Sequence, residues 1–363
     1  MKRGLLVFGL ICTLAALAIL SSQKNLDPRP KKGRLKAKPN LHRWIEWPIF
    51  SPNGEKLFFQ VADESGAFSL NDTYIYILGD KNLRKLPISE EIWGGPRVWA
   101  PDSNHIAYNM PGGSEIFNIE TNSIEKELNN LIFFGWSPDG KKQVFRNRFN
   151  GDTYIRGVDD ENWTVLPREM GRWKVYYWTH DSASLISFNK DMRAIIQYCR
   201  KTADIKNLAF LKDFHNDFYT LLTPSRYSPF VYFTSPRPFT DSLRTTVLQR
   251  LNIRTGKVKK LFEINAGPHG MQIVRIYPTL NDDFVYFLQY YYDTGKKRIY
   301  HILIKLNTRT GEIKKLHEGG MYFYDYSERK DIFSVVSEDR KNLYLFDAKT
   351  RVLEQIYPPE ETT

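Results

Sequence analysis

The sequence predicts an all-β fold made of one strand-turn-strand unit copied along the chain. Three observations predict it. An apolar strand runs into Trp136-Ser137-Pro138-Asp139-Gly140 and a second begins at Val144, with variants at Phe50-Ser51-Pro52-Asn53-Gly54, Trp99-Ala100-Pro101-Asp102-Ser103 and Trp178-Thr179-His180-Asp181-Ser182. Pro presets φ at the first turn position and Gly accepts the φ > 0 that closes the loop, so each copy reads as a hairpin. Second, Leu251-Asn252-Ile253-Arg254-Thr255-Gly256-Lys257-Val258-Lys259-Lys260-Leu261 returns nearly unchanged 55 residues later, from Leu306 to Leu316. Third, 21 Tyr, 23 Phe and 8 Trp suit the half-buried faces of strands.

At 363 residues the chain has room for two or three ordinary domains, but repeat architectures of this length fold as one body, and the repeat count decides. Cys12 lies in the N-terminal apolar stretch and Cys199 is the other cysteine, so a processed chain has no disulfide framework. The formal charge of +11 suggests a nucleic-acid binder until it is located. Residues 1–38 hold nine Lys/Arg against Asp27 alone, leaving a balance of only +3 on the rest. Nucleic-acid binding is therefore not expected of the folded body, because phosphate neutralisation needs clustered cations there.

The N-terminus reads first. Lys2 and Arg3 precede an apolar run from Gly4 to Leu20, and Ala16-Leu17-Ala18 offers a small-x-small cleavage site. As a helix the run rises about 25 Å, a little short of a hydrocarbon core, so residues 1–23 are expected to be a signal peptide or a membrane anchor. Residues 24–45 follow as a linker, in which seven Lys/Arg between Lys24 and Lys38 alternate with Pro and Gly, a composition unable to bury a core. Such a segment suits either a solvated spacer or contact with anionic lipid or wall polymer. Two positives precede the apolar run and seven follow it, which by the positive-inside rule alone keeps the remainder cytoplasmic. Export to the periplasm or another extracytoplasmic space is nevertheless the expectation.

The hairpin motif resembles the Trp-Ser-Pro-Asp-Gly repeat of TolB-type β-propellers, and with its weaker copies it covers nearly everything after about residue 45. The resemblance implies four-stranded antiparallel blades in which the Pro-Asp-Gly turn joins the innermost strand to the second. Tyr74–Leu78, Glu115–Ile119 and Asn342–Phe346 then read as third strands, and the two eleven-residue copies lead into fourth strands. Blades fall at 46–88, 94–130, 131–168, 172–211, 215–265, 270–318 and 320–358, a seven-bladed propeller over 46–358 with a tail at 359–363. Six blades is the alternative, if the 172–211 unit with its poor fourth strand is an elaboration. Ring closure is open between face-to-face packing of the outer blades and an edge strand from residues 40–45.

In such a propeller the connections from each fourth strand to the next blade gather at one mouth of the channel, opposite the Pro-Asp-Gly turns. Those connections carry Trp93, Arg97, Arg172, Trp173, His215 and His269, residue types favoured in binding hot spots. They form the candidate ligand-binding set. The competing reading has the tryptophans capping the inner strands and the arginines solvated or filling the channel with paired charge. His215, His269 and His317 are read in successive connections, where three imidazoles offer a transition-metal site, though without fixed ligand spacing. No Gly-x-Ser-x-Gly elbow, phosphate loop or Cys-x-x-Cys pair occurs. The expectation is a non-catalytic scaffold in the cell envelope that binds a protein or an anionic glycan, with no cofactor. The alternative is a polysaccharide lyase or hydrolase with a metal-dependent site at the same mouth.

Overall fold

A computed structural model describes residues 43–63, 72–88, 97–160, 163–170, 176–189, 191, 193–211, 221–236, 245–265 and 271–358. The expected N-terminal helix and most of the basic linker lie outside these residues. The chain after Leu41 forms one compact unit.

Seven antiparallel sheets follow one another, each built from four consecutive strands. Blade 1 holds β1 (Arg43–Phe50), β2 (Lys56–Asp63), β3 (Asp72–Ile77) and β4 (Asn82–Leu86). Blade 2 holds β5 (Val98–Trp99), β6 (His105–Met110), β7 (Gly113–Asn118) and β8 (Ser123–Asn129). Blade 3 holds β9 (Leu131–Trp136), β10 (Lys142–Asn147), β11 (Thr153–Gly157) and β12 (Trp163–Val165). Blade 4 holds β13 (Tyr177–Trp178), β14 (Ser184–Phe188), β15 (Ala194–Cys199) and β16 (Asp204–Phe210). Blade 5 holds β17 (Leu222–Pro224), β18 (Phe230–Pro236), β19 (Thr245–Asn252) and β20 (Val258–Asn265). Blade 6 holds β21 (Gln272–Pro278), β22 (Phe284–Asp293), β23 (Arg298–Asn307) and β24 (Ile313–Gly319). Blade 7 holds β25 (Tyr322–Ser327), β26 (Ile332–Val336), β27 (Leu343–Asp347) and β28 (Leu353–Tyr357).

This is a seven-bladed β-propeller, and the six-bladed alternative is set aside. The unit expected at 172–211 has a full fourth strand, β16, paired along β15 from Cys199 to Ala194. Its weak sequence signal comes from an outermost strand that is mostly solvated, Asp204 to Asn207 being exposed, so little apolar pattern was required. The eleven-residue repeat spans the end of a third strand, the turn at Gly256 or Gly311, and the start of a fourth.

The hairpin turns repeat a single geometry. The fourth turn residue donates its N–H to the carbonyl of the first at Ser51, Ala100, Ser137, Thr179 and Thr279. That fourth residue is left-handed in each: Gly54, Ser103, Gly140, Ser182 and Asp282, with φ between 55° and 73°. Where it carries a side chain, it fastens the preceding blade. Ser103 Oγ accepts from Asn53 N (3.0 Å), and Ser182 Oγ from Asp139 N (3.0 Å). Asp282 accepts from Tyr232 Oη (2.9 Å) and Ser225 Oγ (3.2 Å). Two lysines reinforce the same joints, Lys56 Nζ donating to Ser103 O (2.9 Å) and Lys142 Nζ to Ser182 O (3.0 Å). At Gly54 a Cβ is doubly excluded, by its φ of 73° and by Ser327 Oγ against that position.

The core is divided among the seven contacts between neighbouring blades. Each has its own apolar cluster, the largest joining blades 6 and 7 and blades 4 and 5. Among the described residues blades 7 and 1 meet face to face with no shared strand. Residues 43–45, expected in the linker, begin β1 itself, and Ile45 N donates to Arg340 O (2.7 Å) across that joint. Phe50 N donates to Asp325 Oδ2 (2.7 Å), Ser334 Oγ to Pro48 O (3.2 Å), and Phe59, Tyr74 and Tyr357 pack ring to ring.

Phe333 is fully buried against Tyr277, Tyr286, Phe323 and Phe346, whereas Phe149 stands 81% exposed. Urea titration is expected to show Phe333→Ala destabilised by about 3–5 kcal/mol and Phe149→Ala within about 0.5 kcal/mol of the parent. Equal losses in the two variants would contradict a core located between blades.

Candidate functional site

Of the six residues expected to bind ligand, Arg97 is among the described residues, while Trp93, Arg172, Trp173, His215 and His269 lie outside them. Arg97 sits immediately before β5, at the mouth where fourth strands cross to the next blade, and it is buried. Its Nη2 donates to Gln60 Oε1, and the Gln60 amide is held in turn by Thr73 Oγ1 (3.1 Å). The guanidinium lies 5.6 Å from the ring centroid of Trp47. Burial pulls its pKa down to about 10, with the Glu46 carboxylate opposing the shift. Arg97 is therefore a fixed, partly desolvated cation, and the solvated reading of it does not hold.

Two further guanidinium–aromatic pairs stand on the neighbouring inner strands. Arg275 of β21 lies 5.5 Å from the Tyr324 ring and donates Nη1 to Tyr324 O (2.7 Å). Arg340, in the loop between β26 and β27, lies 5.2 Å from the Tyr322 ring. The pairing of β25 with β26 shifts between Phe323 and Asp325, and Tyr322 and Tyr324 both pack against the apolar cluster of blades 7 and 1. Glu46 supplies the balancing charge: it accepts from Trp44 Nε1 (2.8 Å) and is felt by both Arg97 and Tyr324. The sequence reading passed over Trp47, Arg275, Tyr324 and Arg340. It searched the connections between blades, whereas these residues lie in inner strands or in a second-to-third-strand loop. The Tyr-x-Tyr alternation at 322–324 was the available signal.

His317 was expected in a connection at the mouth and lies instead within β24, packed against Phe323 and Phe346 at 5.3 and 6.1 Å. The strand runs on to Gly319, so the chain turns toward blade 7 only after this residue. His301 of β23 packs 4.9 Å from Tyr322, and its buried Nδ1 has no hydrogen-bond partner among the described residues. Burial pushes His301 down to about 4, helped by the charges of Arg275 and His317. Among the described residues no group of three or more His, Cys, Asp or Glu is placed to hold a metal ion. At the other mouth, burial lifts Glu328 to about 7, the nearby Asp325 and Asp282 reinforcing the shift and Arg226 opposing it.

No protein-family model and no curated protein matches this chain. Among solved structures, an oligogalacturonate lyase from Vibrio parahaemolyticus aligns at 10% identity and a TM-score of 0.58, covering 85% of this chain and 91% of that one. The β-propeller domain of the Trilobed protease from Pyrococcus furiosus, described as having an open velcro topology, aligns at 14% identity and 0.57, covering 89% and 98%. TolB from Acinetobacter baumannii aligns at 16% identity and 0.46, covering 75% of this chain and 62% of that one, so this chain spans less than two thirds of that TolB. At these identities the likeness is one of fold.

The low pKa of His301 makes stability depend on pH with a definite sign. The folded state holds the ring neutral while the unfolded chain protonates it near 6.5. Its contribution is thus complete above that pH and lost as pH falls toward 4. The loss is on the order of 3 kcal/mol. Denaturant melts at pH 7 and pH 4 are expected to show a drop that is smaller by that amount in His301→Phe, which keeps the ring packing; an identical drop in both proteins would refute the assignment.

Proposed function

We propose that the chain is a non-catalytic binding scaffold of the cell envelope, held outside the cytoplasm by its N-terminal segment, whose channel mouth engages a protein or an anionic glycan. One observation carries the reading. Arg97 over Trp47, Arg340 over Tyr322 and Arg275 over Tyr324 place three guanidinium–aromatic pairs on neighbouring blades around one mouth. Guanidinium donors pair in fork geometry with carboxylate or phosphate groups, and aromatic faces cover the apolar face of a sugar or side chain. The hydrogen bonds to Gln60 and Tyr324 hold two of the three cations in place before a ligand arrives, which lowers the entropic cost of binding. The resemblance of the hairpin repeat to TolB-type propellers supports the envelope setting.

Arg340 is exposed and contributes only its backbone carbonyl to the joint with blade 1, so its side chain can be removed without opening the ring. An envelope fraction and a uronic-acid oligosaccharide should each be tested against the full chain and the Arg340→Ala variant. Capture or affinity is expected to fall about tenfold, as the loss of one charge-assisted contact implies. Undiminished binding would remove the mouth from the account. Elemental analysis of the same preparation separates the enzyme alternative: about one equivalent of transition metal, lost on changing His215 and His269 to Ala, would favour a metal-dependent lyase or hydrolase.

A further inference from the structure

The joint between blades 2 and 3 differs from the other six. Among the described residues its apolar cluster has five buried members, Ala107, Ile116, Leu128, Phe133 and Phe145, where the other joints have nine to eleven. Like the joint of blades 7 and 1, where the turn residue is Gly54, it lacks both fastenings of the hairpin face. The left-handed turn residue of blade 3 is Gly140, with no side chain to reach back. The position held by Lys56 in blade 1 and Lys142 in blade 3 is His105 in blade 2, which turns onto Asp102 (2.6 Å) and Glu125 (2.9 Å) of its own blade.

Strand register identifies what faces this joint instead. Trp136, Gln143, Arg156 and Trp163 are paired in one row across blade 3 and therefore share a face. On blade 2 the row Val98, Ala107, Ile116 and Lys126 is paired in the same way and faces them. Arg156 is 9% exposed. Its guanidinium rests 5.1 Å from the Phe145 ring and 5.0 Å from the Trp163 ring, and Nη2 donates to Gln143 Oε1 (3.0 Å). Its Nε has no partner, and among the described residues no carboxylate pairs with it. Lys126 comes from the facing blade close enough for Arg156 to lower its pKa after burial has done so, Asp159 opposing. Among the described residues, this buried guanidinium beside a second cation is compensated by an amide and two ring faces, without the counter-charge that buried cations ordinarily have.

We propose that the outer part of the joint between blades 2 and 3 is a binding site for a small oxyanion, gripped by Arg156 and Lys126 from opposite sides against the Trp163 ring. The group it accepts is a phosphate, a sulfate or a carboxylate, alone or as the charged end of a larger molecule. The site lies on the outer rim, away from the channel mouth, and is independent of the function proposed above. The inner strands of this joint are already tied, Phe133 N donating to Asn109 Oδ1 (3.1 Å) and Ser114 Oγ to Leu131 O (2.7 Å), so an anion bound at the rim adds to the outer part of the joint and raises the stability of the ring.

The test is isothermal titration of the full chain with inorganic phosphate, sulfate and acetate at fixed ionic strength, together with thermal melts. One equivalent should bind, raise the melting temperature, and weaken about tenfold in Lys126→Ala; binding should vanish in Arg156→Met. The ranking of the three anions tells a tetrahedral from a planar group. Lys126 is exposed and outside every apolar cluster, so its variant remains informative if Arg156→Met fails to fold. Binding unchanged in Lys126→Ala would overturn the proposal. So would the absence of binding by the parent protein to all three anions.

Discussion

A four-stranded blade has two faces and can bury neither alone. Everything in this chain depends on each blade receiving a neighbour on both sides. The seven apolar clusters are the seven solutions to that constraint, each drawing residues from two adjacent blades and together replacing a single central core. Stability in such an arrangement is approached as a sum of neighbour terms, so a joint can be individually weak without loss of the fold. The blade 2–3 joint shows this, with about half the buried apolar set of its counterparts.

The same constraint explains the inner strands. Their channel-side edges carry backbone groups with no further strand to pair with, and side chains from the preceding blade answer two of them: Asp325 for Phe50 N, Arg275 for Tyr324 O. Polar residues are thereby brought to the channel for structural reasons first. Once there, Arg275 and Arg97 are fixed cations beside aromatic rings, and recognition requires only that the rings and donors remain accessible from one end. The scaffold and the candidate site are thus built from the same contacts.

The period of the fold was legible in the sequence because it resides in local chemistry. Pro138-Asp139-Gly140 and its relatives specify their own turn, and the apolar alternation beside them specifies the strands, so the succession of seven four-stranded units could be read. Blade 4 was doubted because a solvated outer strand such as β16 needs no pattern. The mouth was less legible. Arg275 and Tyr324 are 49 residues apart, and no spacing announces that blades 6 and 7 will set them side by side at one opening. His317 was misplaced by two residues, enough to move it from a connection into a strand. Of the six residues nominated for ligand binding, Arg97 alone is among the described residues, and it is a buried cation paired with Gln60 and Trp47.

The central claim is that ligand binds at the mouth formed by β1, β25 and the 337–342 loop. Hydrogen–deuterium exchange of the full chain with and without a uronic-acid oligosaccharide or a captured envelope partner tests it most directly. The account predicts added protection in residues 43–47, 322–324 and 337–342, with the Pro-Asp-Gly turns at 51–54 and 137–140 unchanged. Protection confined to those turns would place the partner on the opposite face and contradict it.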